Sequence, residues 1–169
     1  MRLSPKPEQA QSARRTAWAL SLAGYVPFAF LAFVLVIDGR YGVWGELALD
    51  ALLTYGAVIL SFMGGVRWGA AIADRVDTHR ARDVAVSVVP SLVGWAALFM
   101  PSPVGLAVLA LAFAAQGAWD AFSAQKAWDG LVGEGGRGVA RLPPWFGRLR
   151  IVLTLLVVGA LVAALVAIA

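Results

Sequence analysis

Five long apolar runs, separated by polar segments, organise this chain. They cover about Thr16–Ile37, Leu47–Ala73, Val84–Met100, Val104–Ala124 and Ile151–Ala169. A helix needs about 20 mostly apolar residues to cross the hydrocarbon core of a bilayer, and each run is close to that length. A membrane strand would alternate apolar and polar positions over about ten residues, and these runs are uniformly apolar. The pattern predicts an all-α integral membrane bundle of five transmembrane helices spanning residues 16–169. Residues 1–15, "MRLSPKPEQAQSARR", are polar, carry two prolines and read as a flexible cytoplasmic tail. Arg14 and Arg15 followed by an apolar stretch have the look of a signal peptide. That stretch is longer than a signal core and no small-x-small site closes it, so it reads as a retained first span.

Punctuation inside the pattern is mostly proline. Pro27 and Pro90 fall within the first and third runs, where a membrane helix tolerates a kink if neighbours satisfy the freed carbonyl. "PSP" at 101–103 predicts a tight turn between the third and fourth spans. Trp18, Tyr41 and Trp44 lie where aromatic interface anchors belong.

Composition agrees with the pattern: 60% of the residues are hydrophobic and 14% charged, against about a quarter charged in a soluble domain. The placement of the charges adds an orientation. Of 14 Lys and Arg, all but two lie in the tail, in the segment after the second span or in the segment after the fourth. Arg40 is alone on the other side, and Arg67 lies within a span. Positive residues mark the cytoplasmic side, so the N-terminus is expected inside and the C-terminus outside. That points to the cell inner membrane, or to the mitochondrial inner membrane if the protein is organellar. It also accounts for the net charge of +4 without nucleic acid as a partner.

Arg67 is the conspicuous intramembrane charge. It precedes Asp74 by seven residues, which at 1.5 Å per residue puts it about 10 Å inside the cytoplasmic end of its helix. Two placements are open to it. Its side chain can snorkel to the headgroups. Alternatively, it joins an internal polar layer: Asp120 on the fourth span is at nearly the same depth, Gln116 is one turn deeper, and Ser87 and Ser91 flank Pro90 on the third span. Charges inside a membrane tend to pair or to face a cavity, which favours an approach of Arg67 to Asp120.

Ala57, Ser61, Gly65, Gly69 and Ala73 recur every four residues and form a small-residue face suited to close helix packing, within the chain or in a homodimer. Arg67 is about 200° around the helix from Gly65 and Gly69, so packing and charge use different faces. Gly64, three residues before Arg67, is expected to leave room beside the guanidinium.

No catalytic constellation is visible. The chain has no cysteine and one histidine, His79, which reads as a loop residue, so thiolate metal sites and clusters are excluded and no metal or cofactor is expected. "GEGGRG" follows no strand and lacks the Lys-Ser/Thr of a phosphate loop. No serine has a convincing base partner, so the chain is read as a non-enzyme.

"YGAVILSFMGGVRWG" from Tyr55, "SVVPSLVGW" in the third span and "LPPWFGRLRIVLT" before the fifth carry a resemblance. They are similar to the domain-of-unknown-function family that includes transmembrane protein sixty-nine. The resemblance runs from about Ala19 onward, and Gly64 to Gly69 is its most specific part. It implies a small multi-pass protein of bacteria or mitochondria and no particular chemistry. Within "PPWFGRLR", Trp145 suits the interface, while Arg148 and Arg150 form either an orienting cap or, with Arg67, an anionic headgroup site. Trp68, beside Arg67, completes the candidate lipid or ligand contacts. The function expected is that of an accessory or assembly protein binding a membrane partner or anionic lipid. The competing expectation is a small transporter or channel using the Arg67 layer, with Pro27 and Pro90 breaking its helices.

Overall fold

A computed structural model describes residues 7–73, 80–132 and 144–169. His79, the "GEGGRG" segment and the first six residues of the tail lie outside the described residues. Among those described, five helices form: α1 (Pro7–Asp38), α2 (Gly45–Ala73), α3 (Arg80–Ala97), α4 (Ser102–Val132) and α5 (Pro144–Ile168).

Several ends differ from the pattern of apolar runs, because helix formation does not stop where hydropathy does. α1 begins at Pro7, so the later part of the polar tail is helical and continuous with the first apolar run. Proline at a first helical position has no amide hydrogen bond to lose. The same logic applies at Pro144, which starts α5 well before Ile151 and brings Trp145, Arg148 and Arg150 into the helix. The α3–α4 turn comes slightly earlier than "PSP". The amides of Leu98, Phe99 and Met100 reach back three residues to Trp95, Ala96 and Ala97, closing α3 in a tightened turn. Ser102 and Pro103 already belong to the first turn of α4.

At the α1–α2 junction the backbone needs glycine. Gly39 adopts a φ of 67° and donates its amide to the Leu35 carbonyl at 2.9 Å, a left-handed helix end. Asp38 Oδ2 then accepts the Trp44 amide at 2.7 Å, occupying a donor left open at the start of α2.

α1 packs on α2 and α5, α4 packs on α5 and α2, and α3 lies against α2 and α4. The helices α1, α2, α4 and α5 thus form a four-sided ring, with α3 on the outside of its α2–α4 edge. Phe28 sits at the middle of this ring, edge-on to Tyr55 at 5.0 Å and to Phe113 at 5.7 Å. Tyr55 Oη donates to the Gly24 carbonyl at 2.8 Å, beside the turn of α1 that Pro27 weakens. The outward face is apolar: Phe30, Phe33, Leu111, Leu155 and Val166 are among many large exposed side chains. A water-soluble monomer does not sustain so much continuous apolar surface, whereas lipid solvates it.

Four helices are long and apolar enough to cross a membrane, namely α1, α2, α4 and α5. The expected fifth, α3, has a shorter apolar stretch, Val84–Ala97, because its first turn is polar and its last is cut short by the turn before Pro101. Chain direction alternates, so the ends at Ala73, Arg80, Val132 and Pro144 share one side of the bundle with the start of α1. We call this the basic end.

Candidate functional site

Three helices meet near the basic end at one carboxylate. Asp120 of α4 is 3% exposed and accepts from both arginines in its reach. Arg67 Nε of α2 donates to Oδ1 at 2.9 Å. Arg150 Nε of α5 donates to Oδ2 at 2.8 Å, and its Nη2 reaches the same oxygen. Gln116, one turn back on α4, donates its amide to Oδ1 at 3.2 Å. A carboxylate offers about four acceptor positions, and all four are occupied here. Among the described residues, one carboxylate thus joins guanidiniums from two helices.

Each guanidinium also rests on an aromatic face. Arg67 lies 5.0 Å from the centroid of Trp119, and Arg150 lies 5.6 Å from that of Phe146. A ring face attracts the cation electrostatically and replaces part of its lost hydration. Trp119 directly precedes Asp120, and Phe146 precedes Arg150 by one helical turn, so sequence neighbours supply both platforms.

Local packing explains why the groups meet. α2 and α5 are on opposite corners of the ring and do not pack on each other. Asp120 spans them from α4. At Gly117, a Cβ would fall 2.0 Å from Thr154 Oγ1. The missing side chain lets α4 and α5 close up there. One turn nearer the basic end, the antiparallel pair then sets Asp120 beside Arg150.

The structure separates the expected polar residues into two groups. Arg67, Asp120 and Gln116 come together, so of the two placements open to Arg67 the paired one is found. Ser87 and Ser91 do not join them. Buried Ser87 donates to the Val84 carbonyl of its own helix at 2.6 Å, and Ser91 shares a 2.8 Å bond with Ser61 across the α2–α3 contact. Gly64 serves that contact too, rather than making room for the guanidinium: a Cβ there would lie 2.4 Å from the Ser87 carbonyl oxygen. Ala57 abuts Gly94 of α3 in the same way. Gly65 and Gly69 face open space within this chain, so the small-residue ladder packs through its Ala57 and Ser61 rungs, with Gly64 alongside. Arg148 and Trp68 are exposed, and Trp145 is half-buried.

Sequence reasoning placed Arg150 at a loop end and so missed its role as the second cation on Asp120. The signal was Pro143-Pro144, which marks a helix start that puts Arg150 inside the first two turns of α5. Trp119 and Phe146 were also missed, although Phe146 lies one helical turn before Arg150.

A family model described as "Protein of unknown function (DUF3429)" matches residues 13–166. The chain belongs to this family. A curated relative, "Transmembrane protein 69" of Xenopus tropicalis, is 34% identical over 167 residues, covering 92% of this chain and 56% of its own. "Transmembrane protein 69" of Mus musculus is 29% identical over 109 residues, covering 64% of this chain and 40% of the mouse protein. The chain thus spans about half the length of the curated relatives it matches. No solved structure matches it. Family membership and the apolar helices together make this a multi-pass membrane protein.

Proposed function

We propose that this family member is a non-catalytic accessory or assembly protein of an inner membrane, and that it holds an anionic lipid headgroup or an acidic membrane partner at its basic end. All five helices cross in this reading, with the N-terminus on the cytoplasmic side. The asymmetry of Lys and Arg supports that orientation. The packing of α3 along both α2 and α4 supports its crossing with them, since a helix covered by neighbours needs less lipid-facing length.

One observation carries the reading: the tail and the segments after the second and fourth apolar runs hold twelve Lys and Arg against six Asp and Glu. The basic end therefore carries a surplus positive charge, and lipid phosphates are anions that such a surface attracts. The Arg150 guanidinium has five N–H donors, more than its bonds to Asp120 use. The saturated carboxylate weighs against the alternative of a transporter that binds a cationic substrate at Asp120.

Gentle purification of the full chain in native membranes, followed by mass spectrometry of everything retained, tests the reading. Enrichment of anionic over zwitterionic lipid, or a stoichiometric membrane protein, is expected, and both are expected to fall in Arg67→Gln/Arg150→Gln protein. Retention of bulk-composition lipid and nothing else contradicts it. Proteoliposome flux above empty vesicles would favour the transporter.

A further inference from the structure

A cleft of about 440 Å³ opens beside the ion cluster, between α1 and α5, with α2 and α4 behind it. Its walls are apolar: Leu20, Tyr25 and Phe28 on α1, Leu153 and Val157 on α5, and Phe113 at the back. The main departure is Arg150, which lines the cleft while bonded to Asp120. The volume and the single charged group fit the usual make-up of a small-molecule site. On α5 the lining runs from Trp145 to Val157. At 1.5 Å per residue that is about 18 Å, from the basic end to near the middle of a hydrocarbon core of about 30 Å. This is the depth of one leaflet.

We infer that the cleft is the seat of one acyl chain of an anionic membrane lipid, whose phosphate rests at the basic end against Arg150. The inference builds on the headgroup reading above and adds the chain site to it. Three observations select this occupant. The cleft is walled mainly by apolar groups over the length of one lipid tail. Arg150 lines its polar end, where the adjoining segments hold twelve Lys and Arg against six Asp and Glu, so charge complementarity favours an anionic head. Trp145, half-buried at the mouth, is placed where an interfacial aromatic flanks a headgroup. A membrane protein partner would need a helix-wide groove, and a free phosphate would leave the apolar walls without a role.

The test uses the purified full chain and native mass spectrometry. Palmitoyl-oleoyl phosphatidylglycerol is titrated against phosphatidylcholine with the same chains, with inorganic phosphate as a separate arm. The expected result is one phosphatidylglycerol bound about tenfold more tightly than phosphatidylcholine, a difference of about 1.4 kcal/mol, with no retention of phosphate. Ser21→Phe and Leu153→Trp fill the cleft and should weaken that one lipid about tenfold or more while leaving the Asp120 cluster intact. Leu155→Trp, on the exposed side of α5, should change nothing. Thermal unfolding of each variant identifies any loss caused by misfolding, and in that case Ala17→Phe at the mouth replaces it. If phosphatidylglycerol is selected but the filled-cleft variants bind it normally, the chain site is wrong and the headgroup reading stands. Selection of neither lipid overturns both. Tight binding of phosphate alone overturns the chain site.

Discussion

Asp120→Ala perturbs the cluster most severely, because the cost is set by what remains. The substitution removes the acceptor for Arg67, for both bonded nitrogens of Arg150 and for Gln116. Two guanidiniums, 24% and 12% exposed, lose the carboxylate they share. Breaking a buried ion pair by deleting one partner costs about 3–5 kcal/mol. Both arginines have long stems and lie near the membrane edge, so each can swing part of the way toward the headgroups, which pulls the cost to the low end. We expect a loss of about 3 kcal/mol, more than a hundredfold in the folding equilibrium. Asp120→Asn should be no gentler in kind, since its amide turns a donor toward a guanidinium. The assay is reversible unfolding in bicelles, followed by steric trapping or by denaturing-detergent titration. The companion variant is Arg67→Met/Asp120→Leu/Arg150→Met, which removes all three charges together. Replacing a buried ion cluster by apolar groups of similar volume is often neutral or stabilising, so the triple variant should lie within about 1 kcal/mol of the natural chain. The reasoning is refuted if Asp120→Ala lies within about 0.5 kcal/mol of the natural chain, or if the triple variant is as damaged as the single one.

Four further outcomes are expected from the same unfolding measurements. Gly64→Ala should destabilise by about 1–3 kcal/mol, the cost of overpacking, because its Cβ would meet the Ser87 carbonyl of α3. Gly65→Ala, one position along and facing open space, should be neutral or stabilising by up to about 1 kcal/mol. Tyr55→Phe should cost about 1 kcal/mol through loss of its bond to the Gly24 carbonyl beside Pro27. Ser61→Ala should cost only about 0.6 kcal/mol, the typical worth of a hydrogen bond between membrane helices.

How much of this was legible in the chain depended on the length scale of the signal. Helical runs are written in twenty-residue blocks of hydropathy, and the helix count and the membrane reading followed from them. The depth of Arg67 and Asp120 was readable from simple rise arithmetic, because the alternating direction of the helices fixes which residues share a layer. Azimuth was not. Depth matching alone put Ser87 and Ser91 beside Asp120, yet Ser87 bonds within its own helix and Ser91 bonds to Ser61 of α2. Which face a residue presents depends on which helices are neighbours, and apolar runs with no polar side carry little record of that. Helix ends were also hidden. Hydropathy placed the start of the fifth helix at Ile151, whereas the Pro143-Pro144 pair marks it at Pro144, and that shift turns Arg150 from a loop residue into a partner of Asp120.

The central claim is that one carboxylate joins arginines from two helices that do not otherwise touch. Solid-state nuclear magnetic resonance of the isotope-labelled chain in phospholipid bilayers tests this directly, by transfer between guanidinium nitrogen and carboxylate carbon. The Asp120 carboxylate should show contacts to two distinct guanidiniums, one abolished in Arg67→Lys and the other in Arg150→Lys. A carboxylate with a single guanidinium contact, or with none, contradicts the account.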